Sequence, residues 1–275
     1  MKKLSISVVC FESPPNQLEA LIFSLLASVE NLRRFHEVST IPLFIIDNSD
    51  EPGASFNLFV ANGDLFRKLE VELKHIGGHG NIGYGRAHNL ALKRINSDFH
   101  LILNPDVTLG KDALRHALTE ISAKSEIKML TPYATDLLGV KQHLCKRYPS
   151  VFILLIRGLL PRSLKKFFAR QISSYEMRGL SEEKTTESTM LISGCFMLID
   201  TTALKSVKGF DQNYFLYFED FDLSIRIGEL GKVVYAPKVR ITHAGGNSSS
   251  KGLWHFMRFA ASGIKFFNTH GWRLL

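Results

Sequence analysis

"LILNPDVTL", Leu101–Leu109, is the stretch on which the fold turns. Leu101, Ile102 and Leu103 read as a buried strand, which ends in Asn104, Pro105 and Asp106. Asn, Pro and Asp favour a turn, proline by fixing one backbone angle. The same residues also deliver a carboxylate to the C-terminal end of a strand, where open parallel sheets place their ligands. Alone, the stretch favours the turn; its neighbours decide.

Upstream, "LSISVV" is a strand rich in β-branched residues, and "PLFIID" a second, ending at Asp47. Between them Leu18, Leu21, Ile22, Leu25, Leu26, Val29 and Leu32 keep helical spacing. "DNSDEPGAS" is a loop by composition, and a helix is predicted from the mid-fifties to Arg67. "LEVELKHI" is a third strand, "GGHGNIGYG" a glycine-rich turn and "RAHNLALKRI" a helix. After the opening stretch come a helix, "KDALRHALTEI", and a strand, "IKMLTP". This alternation predicts an α/β fold with a doubly wound, mostly parallel sheet. The second half is expected to be mixed and more irregular. "STMLISGCFMLID" reads as one long strand, and "GFDQNYFLYFEDFDLSIRIGELG" as a loop, an aromatic run and a helix. "KVVYAP" and "VRITHAGG" read as short strands, and "GLWHFMRFAASGIKFF" as a basic amphipathic helix.

A chain of 275 residues fits one large domain, or one domain with an appendage. With 45% hydrophobic and 22% charged residues it is an ordinary globular chain, which excludes disordered and fibrous classes. Cys10, Cys145 and Cys195 lie far apart with no C-x-x-C, so a reducing, cytoplasmic compartment is expected. "MKKLSISVVCFESPP" reads as a first strand rather than a leader, because its apolar run is short and broken by serines. No run approaches the ~20 apolar residues of a membrane-spanning helix. The net charge of +8 is unevenly spread. Leu137–Tyr175 and Leu230–Leu275 contain no acid, with eight and seven Lys or Arg respectively. Such surfaces point to an anionic partner: nucleic acid, a phosphorylated substrate or an anionic membrane.

Gly78, Gly80 and Gly83 fit G-x-G-x-x-G between a strand and a helix, with Asp98 or Asp106 about 20 residues on. That pattern supports an NAD-type oxidoreductase. Against it, the glycines follow the third strand rather than the first, and the reading leaves everything after residue 130 unaccounted for. The glycines also fit a tight turn needing positive φ. A third class, a non-catalytic basic module binding anionic surfaces, fits the charge alone.

"GFDQNYFLYFEDFDLSIR", Gly209–Arg226, stands in one order with "DNSD", "NIGYGRAHN" and "LNPDV". Together they resemble the family 2 glycosyltransferases, nearest the bacterial rhamnosyltransferase-like members, from about Ser5 to His243. The resemblance implies a GT-A domain over 1–246, with a nucleotide-binding half, 1–132, and an acceptor half, 133–246. A basic amphipathic segment, 247–275, follows. It implies an inverting transfer from a nucleotide sugar to a hydroxyl of a glycan or lipid-linked acceptor, in cell-surface polysaccharide, lipopolysaccharide or O-antigen synthesis. dTDP-rhamnose is the favoured donor, UDP- and GDP-sugars stay open, and nucleic acid is not an expected partner.

By the same resemblance "NPD" is a variant of an acidic D-x-D motif. Asp106 is then the ligand of Mg²⁺ or Mn²⁺, and Asn104 a weaker or indirect donor contact. A divalent cation with oxygen ligands suits a leaving diphosphate. Asp47 would contact the base, and Val9, Cys10 and Phe11 would line the base and ribose pocket. Asn81, Gly83 and Gly85 would lie beside the donor, while Arg86 either pairs with a phosphate or sits on a solvated helix face. Asp220 would be the general base and Glu219 would orient a substrate; acids at a helix start also favour its dipole. Asp222 and Arg226 are spaced for an ion pair. His243 would approach the metal or diphosphate, and Tyr214, Phe215, Tyr217 and Phe218 read as core.

Tyr148–Arg170 and the C-terminal stretch interleave apolar with basic residues. This predicts either peripheral binding to the inner face of an anionic membrane or packing on the sheet or on a second subunit as a homodimer.

Overall fold

The computed structural model describes residues 1–50, 53–245 and 252–275. Glu51 and Pro52 of the predicted loop, and the start of the 247–275 segment with Lys251, lie outside the described residues.

The first half alternates as expected: β1 (Leu4–Cys10), α1 (Pro15–Phe35), β2 (Ile41–Asp47), α2 (Ala54–Ala61), α3 (Gly63–Lys68), β3 (Val71–Ile76), α4 (Tyr84–Leu92) and β4 (Phe99–Leu103). β5 (Val107–Leu109), α5 (Ala113–Ala123), β6 (Ile127–Thr135), β7 (Lys141–Gln142) and β8 (Cys145–Lys146) follow. Next come α6 (Val151–Leu159), α7 (Arg162–Lys165), a 3₁₀ turn (Lys166–Phe168), α8 (Ala169–Tyr175), β9 (Thr186–Glu187) and β10 (Leu191–Ile192). β11 (Phe196–Asp200), α9 (Thr201–Ser206), α10 (Glu219–Gly228), β12 (Lys232–His243) and α11 (Gly252–His270) complete the chain.

The main sheet runs β3-β2-β1-β4-β11-β6-β12-β5, with β7 and β9 added on β6 and β12. β3, β2, β1 and β4 are mutually parallel, and β11 enters antiparallel between β4 and β6. One apolar core packs α1 and α5 against the sheet through Leu21, Leu25, Leu114 and Leu118; a second joins β11, α9 and α10 through Met197, Leu204 and Leu223. β1 is buried along its whole length, so its two serines need partners. Ser5 and Ser7 both bond His100 of β4, and Ser7 also bonds His88 of α4. Burial pushes both imidazoles down, His100 to about 3, so they pack as neutral polar links.

Three expectations are corrected. "STMLISGCFMLID" is not one strand: β10 pairs with β8 in a separate small sheet, and β11 joins the main one. The break falls at Ser193–Gly194–Cys195, whose backbone bonds Leu144, Tyr84, Asp220 and Asn104 instead of a ladder. "KVVYAP" and "VRITHAGG" are one strand, β12, which stays paired to β6 across a register shift between Ala236 and Arg240. Pro237, lacking an N–H, lies inside that shift. The helix predicted through Arg67 is two, broken at Asn62.

α11 packs one face onto the aromatic run. Phe266 is fully buried, 5.2 Å from the Phe218 ring and 5.4 Å from that of Tyr148. Its other face carries exposed Phe256, Met257 and Ile264. Tyr214 and Phe218 are core, as expected, while Phe215 and Tyr217 are half-buried. Phe266→Ala should cost about 3–5 kcal/mol, and Phe256→Ala less than ~0.5 kcal/mol. Urea unfolding midpoints would show it. A wild-type midpoint for Phe266→Ala would mean that α11 adds nothing to the fold.

Candidate active site

Antiparallel pairing of β12 with β5 sets His243 opposite Val107, one residue beyond Asp106. His243 Nε2 lies 3.5 Å from Asp106 Oδ2. Gln142 orients the imidazole. Its amide nitrogen is 2.9 Å from the His243 carbonyl and 3.2 Å from that of Gly245, so its oxygen faces His243 Nδ1 at 2.9 Å. Nδ1 therefore carries the proton, and Nε2 turns a lone pair toward the carboxylate. Burial lowers the imidazole pKa and the Asp106 charge opposes that shift. Two electron-rich atoms at this separation fit a cation between them. Asp106 Oδ1 and Asn104 Oδ1 are also buried with no partner among the described residues. That donor set fits Mg²⁺ or Mn²⁺, whose remaining ligands would be phosphate oxygens and water. No group of three or more His, Cys, Asp or Glu poised for a metal occurs among the described residues.

The second centre is the start of α10. Two bulky residues before it, Tyr217 (φ 71°) and Phe218 (φ 65°), adopt left-handed backbone. Such strain persists only where the surroundings over-determine it. Phe218 is wedged among Phe221, Phe259 and Phe266, and the Tyr217 hydroxyl bonds His255 Nδ1 at 2.9 Å. Ser262 of α11 donates to the Leu216 carbonyl. The constraint aims Glu219 and Asp220 inward. Burial, and then the neighbouring Asp220, push Glu219 up; burial pushes Asp220 up by less. Asp220 accepts N–H bonds from Gly194 (3.1 Å) and Phe221 (2.9 Å), with Lys146 nearby, whereas Glu219 Oε2 has no partner among the described residues. Asp220 is thus the ionised member and Glu219 holds the proton. Asp222 forms the expected ion pair with Arg226 and also accepts from His270 of α11.

One short loop joins the two centres. Gly194 donates to Asp220 and accepts from the Tyr84 hydroxyl at 2.7 Å, while Cys195 accepts from Asn104 N–H at 2.9 Å. Tyr84, Asn104, Asp220 and, through the strand-end turn, Asp106 are therefore held around two residues of backbone, Gly194 and Cys195.

The remaining candidates divide. Asp47 is buried, and its carboxylate accepts from Ser49 and Gly53 N–H, closing the loop after β2. Cys10 is buried in the main core, where burial pushes its thiol up to about 12; Val9 faces the opposite core, and Phe11 is exposed. The three side chains do not share one surface. Asn81 accepts from Gly83 N–H. Gly83 (φ 91°) is demanded by the Phe215 carbonyl, which would sit 2.3 Å from a Cβ there. The close approach allowed by Gly85 is to Phe210. Arg86 donates from Nε to the Gln212 carbonyl, and Asn89 bonds both backbone groups of Phe210. "NIGYGRAHN" and "GFDQNYF" thus brace one another, which accounts for Gly83 in the pattern on which the oxidoreductase reading rested, while Gly78 (φ 81°) and Gly80 (φ 62°) serve the positive φ of the turn.

The half-parallel sheet with β11 antiparallel within it, and acids after β4 and at the start of α10, agrees with the GT-A fold that the motif resemblance implies. The sequence profile described as Glycosyltransferase like family 2 matches residues 3–258, and the chain belongs to that family. A Mycobacterium tuberculosis (strain CDC 1551 / Oshkosh) N-acetylglucosaminyl-diphospho-decaprenol L-rhamnosyltransferase is 28% identical over 251 residues, 87% of this chain and 75% of that one. Rhamnosyltransferase WbbL of Escherichia coli (strain K12) is 24% identical over 182 residues, 62% of this chain and 64% of its own. Among solved structures, mannosyltransferase PcManGT from Pyrobaculum calidifontis, in complex with GDP-Man and Mn²⁺, aligns with TM-score 0.63 at 12% identity. That alignment covers 98% of this chain and 64% of the other. S. aureus TarS 1-349, in complex with UDP-GlcNAc, aligns with TM-score 0.56 at 14% identity, over 97% and 67%. The chain thus spans about three quarters of the mycobacterial relative and under two thirds of two of the other matches.

Glu219 carries a testable consequence. Its folded pKa lies above its ordinary 4.5, so the folded state keeps a proton that the unfolded chain releases. The associated stability is complete below about 4.5 and is lost as pH rises through the raised value. Glu219→Gln should therefore gain on wild type with rising pH, by on the order of 1–3 kcal/mol near pH ~9. Urea midpoints across pH read this. A constant difference between the two proteins would contradict a protonated Glu219.

Proposed function

We propose that this chain is an inverting glycosyltransferase that moves rhamnose from dTDP-rhamnose to a hydroxyl of a lipid-linked or glycan acceptor, in building a cell-surface polysaccharide such as O-antigen. The observation that carries the reading is the juxtaposition of Asp220, ionised and aimed into a cavity, with the Asp106–His243 pair across the Gly194 loop. Asp220 takes the proton of the acceptor hydroxyl as it attacks the anomeric carbon, and the nucleoside diphosphate leaves from the opposite face. Attack opposite the leaving group inverts the anomeric centre. Protonated Glu219 can donate a hydrogen bond to a substrate oxygen. Asp106 and His243, with Asn104 beside them, would hold a divalent cation, which would supply charge neutralisation at the leaving diphosphate. Asp47 and Phe11 bound the loop side of the donor site. The rhamnosyl donor follows the named relatives, whose activity is a rhamnosyl transfer.

No described helix is long and apolar enough to cross a membrane. The reading places the protein in the cytoplasm, with α6–α8 and the outer face of α11 against the inner membrane leaflet. Their exposed Leu155, Leu159, Phe167 and Phe256 lie among basic residues without acids.

Asp106→Ala should abolish metal-dependent transfer and weaken Mn²⁺-dependent nucleoside-diphosphate binding, with circular dichroism unchanged. Wild-type turnover and metal response would return "NPD" to a plain turn. Asp220→Asn should lower the rate roughly 10²–10⁴-fold with donor affinity retained. If Glu219→Gln is the dead variant and Asp220→Asn is active, the base is Glu219.

A further inference from the structure

Tyr84 is the first residue of α4, and two of its groups reach the segments that hold Asp220. Its hydroxyl donates to the Gly194 carbonyl at 2.7 Å, and the Gly194 N–H in turn donates to Asp220 Oδ2 at 3.1 Å. Its backbone N–H donates to the Phe215 carbonyl at 3.2 Å, just upstream of the left-handed Tyr217–Phe218 pair that leads into α10. Gly194 is buried, so its carbonyl needs a donor, and the phenol is the one it has. One side chain therefore grips the base-bearing segment from both ends.

The ring is itself held. It meets His88 edge-on at 4.6 Å and Phe210 at 5.9 Å, and Ser7 of β1 bonds His88 at 2.7 Å. Burial, and then Cys195, Glu219, Asp220 and Asp106, push the phenol well above its ordinary pKa. It is therefore a neutral donor, which gives direction without adding charge. Asp220 depends on such direction. Burial pushes its carboxyl up, and the N–H groups of Gly194 and Phe221 oppose that push. The Phe221 N–H is on α10 and moves with Asp220; the Gly194 N–H ties the carboxylate to a different segment.

We infer that Tyr84 is a positioning residue for the general base: its hydroxyl holds Gly194 in the orientation that keeps the Asp220 carboxylate aimed at the acceptor hydroxyl. The inference rests on the transferase reading above and adds to it the residue that sets the base. The other titratable or charged groups around Asp220 are Glu219 of α10, Lys146 of β8, Arg157 of α6, Tyr175 of α8 and Cys195 just before β11. Tyr84→Phe replaces none of them and removes no charge. A change in the Asp220 titration in that variant therefore reads the geometry of the Gly194 bond.

Carbon-13 NMR of the whole protein, labelled at aspartate carboxyls and without substrate, follows Asp220 against pH, with Asp220→Asn assigning its signal. In Tyr84→Phe the midpoint should rise by at least ~0.3 in pH, because the ionised form loses an aligned N–H. Gly194→Ala keeps the hydroxyl but sets a Cβ 3.1 Å from the Tyr84 ring, and should raise the midpoint too. It carries the test if Tyr84→Phe does not fold. In sugar transfer, Tyr84→Phe should lower kcat about 10-fold with donor KM within ~2-fold of wild type. The acid limb of kcat should move to higher pH, since the base must be ionised to act. In an Asp220→Asn background the same substitution should cost less than ~2-fold. A folded Tyr84→Phe with the wild-type midpoint overturns the inference. So does a lowered melting temperature with an unmoved acid limb, which makes the hydroxyl a structural bond alone. An undiminished loss of rate in the Asp220→Asn background also overturns it, since Tyr84 would then act elsewhere. Failure of the transferase reading registers separately: wild type would neither transfer sugar nor bind dTDP or UDP with Mn²⁺, whereas the substrate-free titration gives its answer either way.

Discussion

The insertion of β11, antiparallel, between β4 and β6 is the constraint on which the rest depends. Phe196 opposite Leu103 and Asp200 opposite Phe99 fasten it to the parallel half; Leu198 opposite Leu130 fastens it to the mixed half. Among the described residues, that ladder is the strand pairing that joins the two halves of the sheet. The residues just before it lie outside the ladder. Gly194 and Cys195 spend their backbone groups on Tyr84, Asp220 and Asn104. One strand therefore joins the sheet and sets the spacing between Asp106 after the end of β4 and Asp220 on α10. A side chain at position 194 would meet the Tyr84 ring at 3.1 Å, so the joint has little room to shift.

Much of this was legible in the chain. The first four strands announce themselves by apolar runs that stop at polar or glycine-rich segments, and α1 by seven apolar residues at helical spacing. Asp106 and Asp220 stand at element ends, where local pattern is strongest. What escaped is non-local. The contact of His243 with Gln142 spans 101 positions and depends on β12 pairing with both β5 and β6. No periodicity reports which strands become neighbours. Gln142 left no local signal, being a polar residue on a two-residue strand. Gly194 left a faint one, the "SGC" interruption in an otherwise apolar run, which periodicity counting passes over.

The glycine-rich turn shows how one pattern serves two physical ends. G-x-G-x-x-G is informative where glycines let backbone approach a pyrophosphate. Here Gly83 lets backbone approach backbone, the Phe215 carbonyl, and Gly85 admits the Phe210 side chain. β3, which precedes the turn, is the edge strand of the sheet, not the central strand that carries a dinucleotide fingerprint. The need for small residues is real in both cases; only the partner differs, and the partner lies about 130 residues away.

The left-handed pair Tyr217–Phe218 links the geometry of Glu219 and Asp220 to a part of the molecule outside the sheet. α11 contributes to holding the strain through Phe259, Ser262 and Phe266. Part of the free energy that keeps Asp220 aimed, beside the Gly194 N–H bond, is therefore the local opening energy of one helix, which can be far smaller than that of global unfolding. Heat inactivation and melting are then separate quantities for this protein. Amide hydrogen exchange along α11 reports the first, and exchange in β1 and β4 the second.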